Sequence, residues 1–347
     1  MSDNLNITET NPYGRPSDRG NMLGIEPYVL TSDYASLSAI TAKLDGYLAK
    51  AQSLGWLNER TIVIWPEYIA TWLAVTGETP ATLLSDVVKN IAAAHPADFN
   101  KYYASALEQN KAFAAAFRTK ATDMASMYQT LFAGLSKKYS VTSVAGSIVL
   151  PSPQVVRGKI TFDVNGPLYN VSAVFNAKGQ IFPDLVYKAY PTGGELPYTA
   201  CAPAGDMPVY ETPAGRLGVL ICADSWYPSA YTRMKEAGAQ LLAVPSFGHG
   251  GLKSWGDTWP GYAPWPNPSD VDPKDVNKIS NSDAWLKYSL ATRIEDSSAL
   301  FGINVFLHGS FWPDLVAGGG VAVVVRRDKI WKREIPTEGA TLNNLWL

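Results

Sequence analysis

Apolar positions along this chain change period from segment to segment, and each period predicts an element. Met22 to Leu30 is a short apolar run of the kind that forms a strand. Over 31–53, Leu37, Ile40, Leu44, Leu48 and Ala51 recur on one helical face; Ser32 or Asp33 offers a cap and Gly55 an end. Thr61-Ile62-Val63-Ile64-Trp65 predicts a buried strand, stopped by Pro66. Strand, helix and strand in that order predict a parallel pair with a right-handed crossover.

Residues 78–138 are rich in Ala, Lys, Gln, Leu and Phe and predict two or three helices, broken at His95-Pro96. A strand is expected over 141–150, then antiparallel strands over 159–173 and 174–182. Their turn signals are Asn165-Gly166-Pro167 and Ala177-Lys178-Gly179. Further on, the pattern predicts a strand ending at Ile221, a helix over 228–237 and a strand over 240–244. A Trp-, Pro- and Gly-rich loop covers 246–281; a helix over 284–298 and strands over 300–307 and 321–325 follow. Residues 1–20 are expected to be a disordered arm and 331–347 a tail. No repeat or linker divides the rest, which predicts one layered α/β domain over 21–330. A helical insertion at about 72–118 is expected to wall or cover a pocket.

Composition narrows the function. The chain has 347 residues, 46% of them apolar and 17% charged, which suits a sizeable core. A net charge of −2 gives no electrostatic basis for binding nucleic acid or an anionic membrane. No apolar run reaches the ~18 residues of a membrane span. The stretch before Asn21 lacks the apolar core of a signal peptide. Cys201 and Cys222 make no disulfide framework, and free thiols fit a reducing compartment, so the cytoplasm is expected. With three histidines and no paired ligand spacing, no metal site is expected.

The candidate chemistry centres on Cys222. Apolar residues lead straight into this thiol, and a helix is expected from Pro228. A cysteine at such a bend is either a buried core residue or a nucleophile whose thiolate the nearby helix end favours. Glu67 follows an apolar strand between aromatic neighbours. It is either a solvated loop acid or a partly desolvated general base. Lys188 either snorkels to solvent or aims a fixed ammonium at a developing oxyanion. Glu195, after two glycines, is either a surface acid or a partner of Lys188.

Three ordered motifs resolve these alternatives. Ile64-Trp65-Pro66-Glu67-Tyr68, then Tyr187-Lys188-x-x-Pro191-Thr192-x-x-Glu195, then Gly215-Arg-Leu-Gly-Val-Leu-Ile-Cys222-x-Asp224-x-x-Tyr227-Pro228 resemble the nitrilase superfamily of carbon–nitrogen hydrolases. The segment 291–296 also looks like that family's helix before its next core strand. The resemblance covers about 22–327 and implies a four-layer αββα sandwich without metal or organic cofactor. It also implies a Glu-Lys-Cys triad: Glu67 as base and acid, Lys188 and the amide of Ala223 as oxyanion donors, Cys222 as nucleophile and Glu195 as supporting acid. A thioester acyl-enzyme, a small-molecule amide or nitrile substrate and a homodimer or larger homo-oligomer are likewise implied.

Within the superfamily the signals divide. Lys188-x-x-Pro-Thr-x-x-Glu looks like true nitrilases, whereas Cys222-Ala-Asp224 looks like amidases. Trp65-Pro66-Glu67 is similar to membrane N-acyltransferases, whose several transmembrane helices have no counterpart here. Amide hydrolysis is therefore expected ahead of nitrile hydrolysis, and both ahead of acyl transfer or a silent scaffold. A cysteine–histidine pair using His249 or His308 is a further alternative. Gly318-Gly319-Gly320 replaces the family's usual hairpin sequence. Pocket candidates are Tyr68, Trp226, Tyr227 and His249. Trp255, Trp259, Tyr262 and Trp265 serve either to clamp an apolar acyl group or to pack the loop or a dimer contact.

Overall fold

The computed structural model describes residues 5–248, 255–317, 321–327, 329–334 and 338–347. Two mixed sheets stack face to face. The first runs, in spatial order, Ile7–Tyr13, Ala340–Trp346, Asn21–Glu26, Thr61–Ile64, Thr142–Val144 and Val174–Phe175. The second runs Val209–Thr212, Gly215–Val219, Leu241–Phe247, Phe301–Trp312, Val321–Arg326 and Lys329–Glu334. Parallel pairs occupy the centre of each, such as Ile62 opposite Thr142 and Leu217 opposite Leu241.

Residue alternation explains the layering. Met22, Ile62, Ile64 and Val144 of the first sheet share a core with Leu217, Val219, Ile303 and Val305 of the second. Gly24 permits that closeness: a Cβ there would meet the side chains of Ile303 and Val305 at 2.6 Å. Leu23, Ile25 and Val63 point the other way, into helices α1 (Leu37–Ser53) and α4 (Lys111–Tyr139). The outer face of the second sheet is covered by α5 (Pro228–Glu236), α6 (Asn281–Tyr288) and α7 (Leu290–Arg293). The result is the expected αββα sandwich.

Several elements depart from expectation for local reasons. The helix predicted over 31–53 begins with a short 3-10 turn; its cap is Ser36, whose Oγ accepts the Ala39 N–H at 3.1 Å. Asp33 instead accepts from Leu30 N. The insertion holds α2 (Leu84–Ala94), α3 (Pro96–Ser105) and the 29-residue α4, and so runs past 118. The 141–150 strand is two, Thr142–Val144 and Ile148–Pro151, interrupted at Gly146.

The ends of the chain differ most. The expected arm contains the strand Ile7–Tyr13, and the expected tail over 331–347 contains the end of the strand Lys329–Glu334 and all of Ala340–Trp346. Ile7–Tyr13 runs parallel to Ala340–Trp346, which is inserted between it and Asn21–Glu26. Polar side chains pair inside this seam: Asn11 donates to Asn343, and Asn343 to Glu26. Gly318-Gly319-Gly320 lies outside the described residues. Among those described, no helix is long and apolar enough to cross a membrane.

Candidate active site

The four site residues come from four chain segments that leave the sheets at one place. Glu67 lies just beyond Thr61–Ile64; Trp65 prolongs the pairing by donating to the Val144 carbonyl at 3.0 Å, and Pro66 ends it. The chain turns at Tyr68, whose φ is 64° and whose N–H is held by Ser147 Oγ at 2.9 Å. Gly146 has φ 60° and packs against the Pro66 carbonyl, so no side chain fits there. Lys188 follows the strand Val186–Tyr187, its N–H bonded to the Asn170 carbonyl at 2.9 Å. Glu195 closes a turn on itself: its carboxylate accepts from Thr192 N at 2.8 Å while its own N–H donates to the Thr192 carbonyl at 2.9 Å.

Cys222 sits at the bend after Gly215–Val219 with φ 49°, left-handed backbone that a non-glycine residue rarely adopts. Two neighbours over-determine it. Ser225 Oγ donates to the Cys222 carbonyl at 2.7 Å and lies 2.8 Å from Ser289 Oγ. Asp224, fully buried, accepts from Ile221 N at 3.2 Å, Ala189 N at 3.0 Å and Tyr190 N at 2.9 Å. Those amides lie immediately before Cys222 and immediately after Lys188. Asp224 therefore clasps the backbones that carry Cys222 and Lys188; burial pushes its pKa up to about 7.

Lys188 Nζ lies between two carboxylates, 2.7 Å from Glu67 Oε1 and 2.6 Å from Glu195 Oε2. All three side chains are buried. Asn170 Nδ2 donates to both acids, at 2.8 Å to Glu67 and 3.0 Å to Glu195. Tyr68 Oη donates to Glu195 at 2.6 Å and stands 3.3 Å from Tyr198 Oη. The two acids are shifted in opposite directions. For Glu195, burial favours the neutral form, but Lys188, Thr192 N and Tyr68 outweigh it and hold the pKa below the usual range. For Glu67, burial wins over Lys188, the charge of Glu195 adds to it, and the pKa rises to about 7. Two carboxylates whose environments push them apart are the arrangement acid–base chemistry needs. Burial alone would discharge Lys188, yet both acids hold its pKa well above the ordinary lysine value.

The Cys222 Sγ lies 3.8 Å from the Phe247 carbonyl oxygen, and the thiol and the Glu67 carboxyl influence each other's ionisation. Burial first, and the Glu67 charge second, push the Cys222 pKa well up, against Lys188. Cys222 thus rests as a thiol beside the Glu67 carboxyl. The expectation of a thiolate favoured by a helix end is replaced: a 3-10 turn over Cys222–Trp226 separates it from α5, and desolvation dominates.

Ala223 is half-buried and, with Trp226 and Tyr227, lines a cleft of about 220 Å3. A larger hollow of about 590 Å3 is lined by Tyr187 and Tyr169, the neighbours of Lys188 and Asn170; Glu67, Lys188 and Cys222 line neither hollow, and the smaller cleft reaches the cluster through Ala223, which directly follows Cys222. Tyr68, expected in the pocket, is buried against Glu195. His249 lies outside the described residues. His308 is engaged with the Gly339 carbonyl at 3.0 Å and packs edge-on against Tyr28. Trp255 packs on Trp285 and Phe306, whereas Trp259, Tyr262 and Trp265 line the cleft. Sequence reasoning missed Asn170, Tyr198 and the clasping role of Asp224. Only the position of Asn170, alternating with inward Ser172 on one strand, hinted at the first.

Residues 29–264 match the family model described as carbon-nitrogen hydrolase, and the chain belongs to that family. Its fold is that of the nitrilase superfamily. An amidase from Nesterenkonia sp. superposes with a TM-score of 0.52 at 14% identity, covering 96% of this chain and 92% of the other. A carbon-nitrogen hydrolase from Helicobacter pylori G27 gives 0.53 at 15% identity, covering 94% and 88%. Among curated relatives, the deaminated glutathione amidase of Mus musculus is 30% identical over 95 residues, 24% of this chain. A probable hydrolase of Bacillus subtilis is 25% identical over 124 residues, 36% of this chain. The matches span only 28% and 21% of those relatives' own lengths.

Proposed function

We propose that this carbon–nitrogen hydrolase cleaves an amide to a carboxylic acid and ammonia or an amine, with Cys222 as nucleophile. The observation that carries the reading is the buried Glu67–Lys188–Glu195 cluster beside the thiol at the left-handed bend. Glu67 takes the Cys222 proton as sulfur attacks the amide carbon. The developing oxyanion is held by the Lys188 ammonium and the Ala223 N–H, which cost no reorganisation during the reaction. Glu67 returns the proton to the departing nitrogen, the C–N bond breaks, and a thioester remains. Water then attacks the thioester and loses a proton to Glu67; the acid leaves, and Glu67 reprotonates Cys222. Glu195, held ionised, keeps Lys188 charged throughout. Amide rather than nitrile is the favoured substrate because the nucleophile is followed by Ala223 and Asp224.

The test is ammonia release from aliphatic, aromatic and carbamoyl amides and matched nitriles, comparing wild type with Cys222→Ala. Amide turnover that vanishes in Cys222→Ala is expected. Turnover of nitriles alone would reassign the substrate. No release from any compound by folded protein would overturn hydrolysis of simple amides.

A further inference from the structure

We propose that the amide substrate carries an uncharged, ring-sized apolar acyl group, seated in the cleft walled by Tyr190, Trp226, Tyr227, Trp259, Tyr262 and Trp265. The proposal rests on the amidase reading and deepens it. Position supplies the first argument. Ala223, whose N–H is the oxyanion donor, lines the cleft, and so does Thr192, whose N–H holds Glu195. Cys222, Lys188, Glu195, Glu67, Asn170 and Tyr68 do not line it, so the reacting carbon sits at its inner edge beside Ala223. A departing nitrogen must face Glu67, so the acyl substituent is the part of the substrate left to occupy the cleft.

Chemistry supplies the second argument. Among the described residues the lining has no charged side chain; Thr192 and Asn281 are its polar members besides the tyrosines. The charges behind the wall are already engaged. Arg293 bonds Asp270 at 2.7 Å and Tyr262 Oη at 3.2 Å, and Asp224 is taken by its three amides. A carboxylate or ammonium entering the cleft would shed water without gaining a counter-charge. Aromatic faces attract cations in general, but here the rings spend faces on one another. Tyr190 stacks on Tyr227 with centroids 3.6 Å apart, and Trp259 stacks on both Trp226 and Tyr288 at 5.7 and 5.1 Å.

Rigidity and size supply the third. Trp265 Nε1 donates to the Pro191 carbonyl at 2.9 Å, and Tyr262 Oη to the Trp226 carbonyl at 2.7 Å. Walls fixed before the substrate arrives reward a rigid guest over a flexible chain. At about 220 Å3 the cleft falls below the ~300 Å3 at which drug-sized pockets begin, which fits one ring and not two.

The test uses the full chain and primary amides sharing one leaving group: acetamide, phenylacetamide, cyclohexylacetamide, 4-aminobutanamide and succinamate. The expected kcat/KM for both ring amides exceeds that of acetamide by about ten- to a hundredfold, the size of burying one ring. Both charged amides fall at or below acetamide. Trp265→Ala is expected to lower the phenylacetamide-to-acetamide ratio at least several-fold. Phenylacetamide is also expected to shift the tryptophan fluorescence of Cys222→Ala saturably, a readout of binding without turnover. Cys222-dependent release from acetamide without ring preference, or with 4-aminobutanamide preferred, overturns this proposal and leaves the amidase reading standing. No release from any amide by folded protein overturns that reading, and this proposal with it.

Discussion

Glu26 and Glu67 are two glutamates of the same sheet region, both about 1% exposed, both with pKa values raised chiefly by burial. Glu26, at the end of Asn21–Glu26, rises to about 8. It accepts from Phe306 N at 3.2 Å and Asn343 Nδ2 at 3.1 Å, and no cation bonds to it among the described residues. Glu67 rises to about 7 although Lys188 lies 2.7 Å away. A perturbed carboxyl therefore does not by itself mark a site. The difference lies in the company: Glu67 has a thiol beside it, a fixed ammonium and a second acid of opposite protonation preference, whereas Glu26 has a closed polar seam between strands.

The largest effects should separate the two acids by activity. Cys222→Ala is expected to cost on the order of 10⁴-fold or more in kcat, and Glu67→Gln about 10²- to 10⁴-fold. Glu26→Gln should leave kcat/KM within about threefold of wild type, since a substitution away from the reacting atoms acts on stability instead. Steady-state ammonia release over a range of amide concentrations, from below KM to saturation, checks all three. Equal losses in Glu26→Gln and Glu67→Gln, with both proteins folded, would collapse the distinction.

A smaller effect should come through Asn170, which donates to Glu67 and Glu195 at once. A donor to a carboxylate favours its ionised form, so Asn170→Ala should raise the Glu67 pKa. In the proposed mechanism Glu67 acts as a base when ionised, so kcat/KM of wild type should climb with pH through about 7. In Asn170→Ala that limb should move to higher pH, and kcat should fall about ten- to a hundredfold, the worth of a hydrogen bond to a charged group. A pH profile with an unmoved limb would reduce Asn170 to packing.

How far the sequence reveals each region follows from the range of the contacts involved. Glu67, Lys188 and Cys222 each terminate an apolar strand, and that local pattern is legible in one pass. The support around them is not. Tyr68 reaches Glu195 across 127 positions and Asn170 reaches Glu67 across 103, and no local spacing records either contact. The Glu26 seam is less legible still. Ile-Thr-Glu-Thr-Asn-Pro-Tyr over 7–13 reads as a polar arm, and only pairing with residues more than 300 positions away makes it a strand. Asn343 and Asn344 look like surface positions yet are fully buried, because each finds a partner on a neighbouring strand.

The smallest effect should show that the two acids remain alike in one respect. In each, the folded protein holds a proton more tightly than an unfolded chain does, so ionisation opposes folding. For Glu26 the contribution is fully present below the unfolded pKa near 4.5 and is lost as pH rises through about 8. At ~1.4 kcal/mol per pH unit, the loss between pH 6 and 8 is about 2 kcal/mol. Glu26→Gln removes the titrating group. Its stability relative to wild type should therefore rise across that interval, whatever constant offset the new amide brings. Urea unfolding of both proteins at pH 6, 7 and 8 measures the slope. Glu67→Gln should show the same sign over a window ending near 7. Parallel stability slopes with divergent activities would establish that burial sets the protonation of both acids while only the thiol and ammonium beside Glu67 turn that protonation into chemistry. A flat difference for Glu26→Gln would mean that Phe306 N and Asn343 hold Glu26 ionised despite its depth.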